Sequence, residues 1–167
     1  MCKGKKVLQI SLILLVALIA IYGCPAPKSQ VKFIKPVINQ NEIIQNSSSI
    51  QGKGPIPEWV IKLNSDGIIQ KSKEDSYLVL GIESNYPDDR ILNPQDYLEA
   101  YLQDFVPDAN LVAKELKLVL SGQYWQQLKN GKYQIFFRYT ITRESINKCL
   151  SEKNKFSRKA IEFLAQL

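Results

Sequence analysis

The chain has 167 residues, 45% of them hydrophobic and 23% charged, with 22 Lys+Arg against 16 Asp+Glu and a formal net charge of +6. That length suits one domain with a modest core rather than two. The chain has no histidine, which excludes a Ser-His-Asp triad, a Cys-His pair and any His-ligated zinc site; its three cysteines, Cys2, Cys24 and Cys149, are too few for a disulfide framework.

The first segment is an address. Lys3, Lys5 and Lys6 precede Val7–Ile21, an apolar run broken only by Gln9 and Ser11, and Tyr22-Gly23-Cys24 follows. A basic start, an apolar stretch and a small residue at its end form the secretory pattern, in which the lysines stay on the cytoplasmic side while the apolar run enters the bilayer. The alternative is an uncleaved anchor, for which the stretch from Val7 to Gly23 stands at the short end of a spanning helix. It is apolar all round, unlike a helix that buries one stripe in a core.

Gly23-Cys24 resembles the lipobox of bacterial lipoproteins, with Ile21 in place of the usual leucine and Tyr22 departing from the usual small residue. The resemblance implies that residues 1–23 are a signal peptide and that Cys24 becomes the first mature residue. Cys24 would then carry a diacylglyceryl thioether and an N-acyl chain, and several acyl chains anchor a protein stably in a lipid bilayer. Pro25 rather than an aspartate follows Cys24, which points to the outer membrane of the cell envelope. Loss of the three signal lysines leaves 19 bases against 16 acids, so the basic balance is partly an effect of targeting and no nucleic-acid partner is expected.

Residues 24–54 read as an acylated cysteine and a flexible tether: Pro25, Pro27, Pro36, the run Asn46-Ser47-Ser48-Ser49 and Gly52-Lys53-Gly54 bury too little to offset the entropy of ordering them. Such a tether of about 30 residues spans roughly 30 Å. Scattered apolar residues in Val31–Ile44 leave room for a short edge strand or a docking segment.

Residues 55–167 are expected to form a single α+β domain, a small antiparallel sheet with helices packed on it. Trp59–Leu63 alternates as a short strand and Asn64-Ser65-Asp66-Gly67 turns the chain. Ser76–Ser84 is apolar on both faces, which places it inside the sheet. Asn93-Pro94 opens a helix carrying Tyr97, Leu98, Tyr101, Leu102 and Phe105, Pro107 breaks it, and Asp108 caps a second run through Leu116. The pattern leaves open whether Lys117–Leu120 ends that helix or begins a strand, and Gly122 reads as a stop. Asn130-Gly131 predicts a type I′ hairpin between Gln123–Leu128 and a half-buried strand with Tyr133, Ile135, Phe137, Tyr139 and Ile141 on one side. Ile146, Cys149, Leu150, Phe156, Ala160, Phe163, Leu164 and Leu167 then mark one helical stripe, as a single helix or as two with a break near Asn154.

No set of residues points to catalysis, a cofactor or a metal. Gly52-Lys53-Gly54 lacks the remainder of a phosphate loop, and Asp88-Asp89 is too small an oxygen set for calcium and reads as a solvated turn. Glu83, Glu115 and Glu144 have no spacing that pairs carboxylates for acid-base work, so the chain is read as a non-enzyme without cofactors. Cys149 reads as a semi-buried small hydrophobe. Tyr124, Trp125, Arg138 and Arg143 are the candidates for a partner-binding patch, because tryptophan, tyrosine and arginine dominate interface hot spots. The bland reading of the same residues is a packed sheet face.

Pro57-Glu58-Trp59-Val60, Tyr77-Leu78-Val79-Leu80-Gly81, the helical stretch 97–117 and the strand Tyr133–Tyr139 together resemble the LPP-twenty family of small bacterial surface lipoproteins, over about residues 55–147. The family's helix is unbroken and richer in Ala and Arg than this one. The resemblance implies an α+β domain, no catalytic residues, and a binding or scaffolding role toward an envelope protein. It also implies an alternative, regulation of a peptidoglycan synthase or another envelope assembly machine through the aromatic strand.

Overall fold

In the computed structural model the described residues are 32–49 and 51–167. Gly23, Cys24 and the signal segment lie outside them. The fold is α+β: a five-stranded antiparallel sheet in the order β1-β4-β5-β3-β2, with β1 Ile43–Asn46, β2 Ile69–Lys71, β3 Ser76–Ser84, β4 Leu118–Leu128 and β5 Tyr133–Ile141. The helices are α1 Glu58–Ile61, α2 Pro94–Leu102, α3 Ala109–Glu115, α4 Arg143–Ser151 and α5 Arg158–Gln166.

β3 lies inside the sheet, paired with β2 and β5. β5 is the middle strand, and it is buried on both faces from Gln134 to Phe137 rather than on one. One face of the sheet carries Leu78, Leu80, Ile135, Phe137, Tyr139 and Ile141, matched in register. The C-terminal helix closes over it: the Ser76 hydroxyl, on this face opposite Ile141, donates to the carbonyl of Leu167. The other face carries Val79, Gly81, Tyr124, Phe136 and Arg138.

The tether boundary at residue 54 is corrected by the packing of residues 32–49 and 51–54. Ile43, Gln45 and Asn46 pair with Leu128, Gln127 and Gln126 of β4, making β1 an edge strand. Upstream, two buried glutamines of the sheet substitute for a strand partner. The Val37 N–H donates to Gln134 Oε1 at 2.9 Å, Gln134 Nε2 donates to the Lys35 carbonyl at 3.2 Å, and Gln126 Nε2 donates to the Val37 carbonyl at 2.8 Å. Asn46, 1% exposed, holds Gly54 by two bonds of 2.9 Å. Polar composition misleads here because these side chains replace water as hydrogen-bond partners. Ile34 stands over Gly81, and Phe33 lies edge-on to Tyr97 and Tyr101 of α2 at 6.2 and 6.5 Å.

Trp59–Leu63 is helical, not a strand. Pro57, at φ −58°, precedes α1, and its carbonyl accepts from the N–H groups of Val60 and Ile61. Val60 and Leu63, three apart as on one helix face, are the residues it buries, whereas the strand reading grouped Trp59, Ile61 and Leu63 at a spacing of two. Lys62 pairs with Glu58 one turn earlier at 2.9 Å.

Helix α2 begins at Pro94, but Asn93 bonds Asp96 Oδ1 rather than a backbone N–H. Asp108 precedes α3 without capping it. Its carboxylate accepts from the backbone N–H of Ser157 at 2.8 Å and from the Ser157 hydroxyl, tying the start of α5 to α3. β4 begins at Leu118 and runs through Gly122, which is therefore no stop; the extra residue, Ser121, forms a bulge opposite Arg138. The terminal stripe divides into α4 and α5 with a short 3₁₀ turn at Lys153–Lys155.

The hairpin is where the doublet Asn130-Gly131 places it, but it is not type I′. Among the described residues only glycines have positive φ, Gly131 at 82° being one, so Asn130 is right-handed. Gly131 N–H donates to the Leu128 carbonyl, and Leu128 N–H to the Lys132 carbonyl. This is the three-residue loop of a type I turn closed by a left-handed glycine.

Candidate functional site

The four residues singled out as a patch do not share one surface. Tyr124 and Trp125 are neighbours in β4 and so point to opposite faces. Tyr124 is 1% exposed, stacks on Phe136 at 6.3 Å and donates from its hydroxyl to Gln126 Oε1 at 3.1 Å. Burial pushes its phenol up to about 12. Trp125 is half-buried on the opposite face, edge-on to Tyr133 at 5.8 Å. Arg143 opens α4, is exposed, and donates to the Glu74 carbonyl. The aromatics Phe136, Phe137 and Tyr139 of β5 are buried in the sheet, so this strand does not present them to a partner.

Arg138 is different. It lies in the middle of the sheet on the face shared with Tyr124, flanked in register by Val79 and Gly122. Its guanidinium stands 5.0 Å from the ring centre of Tyr77 and 5.6 Å from that of Trp59, a double cation–π contact. Its Nε is buried without a hydrogen-bond partner. Among the described residues no carboxylate lies within ion-pair distance of it. A half-buried arginine without a counter-charge and with an idle donor is the one electrostatic anomaly of the sheet.

The neighbourhood keeps this group reachable. Gly122, next to it on β4, has no side chain; a Cβ there would stand 3.5 Å from Arg138 Nε and 3.7 Å from the Trp59 ring. Val119 and Leu120, just before the bulge, are 45% and 52% exposed. The Ser121 hydroxyl donates to the Arg138 carbonyl at 3.1 Å, fixing the bulge. Trp59 and Tyr77 were not among the sequence candidates. The available signal was Arg138 itself, the one charged residue of the strand Tyr133–Ile141, which when buried requires compensation from some other part of the fold.

The remaining chemistry is structural. Cys149 is buried, and burial pushes its thiol up, away from nucleophilic reactivity. Lys148 holds Glu115 below the usual carboxylate range, and Glu115 raises Lys148 in return. Ser84 donates to Asp89, which with Asp88 is exposed. Among the described residues no three His, Cys, Asp or Glu converge on a point where a metal ion could sit. A hollow of about 520 Å³ beside the α4–α5 turn is lined by the single stretch Leu150–Lys155, with no convergent groups from elsewhere in the fold. No helix among the described residues is long and apolar enough to cross a membrane.

Comparison with known proteins finds no matching family model, no matching curated protein and no matching solved structure.

Proposed function

We propose that this chain is a lipid-anchored protein of the bacterial cell envelope, held in the outer membrane through acylated Cys24, whose domain works by binding another envelope component rather than by catalysis. The observation that carries this reading is the Gly23-Cys24 junction at the end of a short apolar run behind three lysines. The domain supports the binding half. Its Arg138 guanidinium, buried at Nε without a partner, lies against two aromatic rings beside an exposed strand segment, an arrangement suited to recognition of a negatively charged partner. The resemblance to the LPP-twenty lipoproteins points the same way.

The test is Cys24→Ser in a bacterial host. The expected result is a precursor that keeps residues 1–23, or a protein released from the membrane fraction, while the unaltered chain fractionates with membranes and carries the added mass of its acyl chains. Unchanged fractionation and an unchanged mature mass on substitution would sink the lipid anchor.

A further inference from the structure

We propose that the open edge of β4 takes up an extended peptide strand bearing an aspartate or glutamate, whose carboxylate is held by Arg138. This rests on the binding role proposed above and names the chemistry of its partner.

The edge itself is the first support. β1 pairs with β4 only at Gln126, Gln127 and Leu128. Ser47 then answers both backbone groups of Trp125: its N–H donates to the Trp125 carbonyl at 3.0 Å, and its hydroxyl accepts from the Trp125 N–H at 3.1 Å. From Leu118 to Tyr124, no strand among the described residues pairs on that side of β4. Natural edges are commonly guarded by lysine, inward charges or proline. Leu118–Leu128 contains none of these. A peptide entering here would continue the line of β1 along β4, main chain to main chain, which is the usual basis of affinity in strand addition.

Specificity comes from the next strand inward. A strand laid on β4 runs about 10 Å from β5, two strand spacings away. Its residue facing Gly122 points to the same side of the sheet as Arg138, and at that position the glycine leaves the Arg138 side chain and the edge of the Trp59 ring, 3.7 Å from where a Cβ would stand, as nearest neighbours. An acidic side chain reaching inward and an arginine reaching outward meet over the glycine. The guanidinium is planar, oriented by Trp59 and Tyr77, and lacks a carboxylate, so it is preorganised for a two-pronged contact with one.

A second copy of this chain is the rival occupant. Two-fold pairing of β4 with itself would bring two unpaired Arg138 groups to the same short stretch of edge. The bulge at Ser121 also adds local twist, which disfavours flat edge-to-edge pairing. A single acidic peptide brings no second arginine, and a short, flexible strand follows the local twist more easily than the edge of a second folded sheet.

The experiment uses the full chain in detergent and two fluorescent seven-residue probes of alternating threonine and valine, one with a central glutamate and one with glutamine in its place. Fluorescence anisotropy is expected to show the glutamate probe bound at least about tenfold more tightly, as a charge-assisted contact implies. Arg138→Gln should remove that preference while weak backbone binding of both probes remains. Gly122→Val, which fills the gap without a forbidden backbone angle, should remove it too and covers the case in which Arg138→Gln fails to fold. Equal binding of the two probes, or a preference that survives in folded Arg138→Gln or Gly122→Val, would overturn the proposal. So would a concentration-dependent dimer in sedimentation that Leu120→Lys abolishes, since the edge would then belong to a second copy. None of these readouts depends on acylation of Cys24, so failure here and failure of the lipid anchor are separable.

Discussion

Gly81→Ala tests whether residues 32–49 belong to the folded domain. Gly81 lies in β3 opposite Phe136, and a Cβ at this position would come within 2.7 Å of Ile34 Cγ1, 2.7 Å of Phe136 Cε1 and 2.8 Å of Phe136 Cδ1. Carbon pairs rest at about 3.5–4.0 Å, so the methyl overlaps each neighbour by nearly 1 Å. Phe136 is fully buried and cannot swing aside. Overpacking of this kind costs about 1–3 kcal/mol, against which the lower backbone entropy of alanine in the unfolded chain returns about 0.4–1 kcal/mol. The net loss, about 1–2 kcal/mol, should lower the midpoint of thermal unfolding by about 3–8 °C in a domain of this size. Ile34→Ala removes one of the two obstructing side chains. In that background the cost of Gly81→Ala should shrink by at least about 0.5 kcal/mol, a coupling that neighbours in contact show and distant residues do not. Circular dichroism melts and urea titrations of the four proteins measure it. A Gly81→Ala variant as stable as the parent, or strict additivity with Ile34→Ala, would refute the placement of Ile34 on the sheet.

Two further substitutions probe the hairpin and the buried phenol. Gly131→Val forces a β-branched residue to φ 82° and should cost about 1–3 kcal/mol, whereas Asn130→Val forfeits only the bond from Lys132 N–H to Asn130 Oδ1, about 1 kcal/mol or less; equal costs in urea titrations would mean that both positions are left-handed. The Tyr124 phenol ionises near 10 in the unfolded chain and about 12 in the fold, so its contribution is complete below pH 10 and is lost as pH rises from 10 toward 12. Between pH 9 and 11 the stability of the parent relative to Tyr124→Phe should therefore fall by about 1 kcal/mol in chemical denaturation, and a pH-independent difference would show that the phenol is not desolvated.

The sequence by itself determined those features that depend on neighbours along the chain. The strand Ser76–Ser84, the turn at Asn130-Gly131 and the terminal helical stripe follow from periodicity and from the need of one residue for positive φ; the helix expected to run through Phe105 to Pro107 ends earlier, at Leu102. The apolar run Val7–Ile21 and the Gly23-Cys24 junction are likewise local patterns. What the tertiary structure decided depends on residues far apart in sequence. Trp59–Leu63 became helix because Val60 and Leu63 found a buried seat, and five residues of which four are apolar satisfy either period. Residues 35–37, interrupted by Pro36, joined the domain because Gln126 and Gln134, about 90 to 100 positions later, supply hydrogen bonds that no local pattern announces. The candidate patch dissolved for the same reason: alternation places Tyr124 and Trp125 on opposite faces, but only strand order decides that both faces are covered. Arg138 was legible as an arginine of the kind that anchors interfaces, on a half-buried strand. Its setting was not, because Trp59, Tyr77 and Gly122 are brought around it by register across three strands and a helix, and register is a property of the assembled sheet.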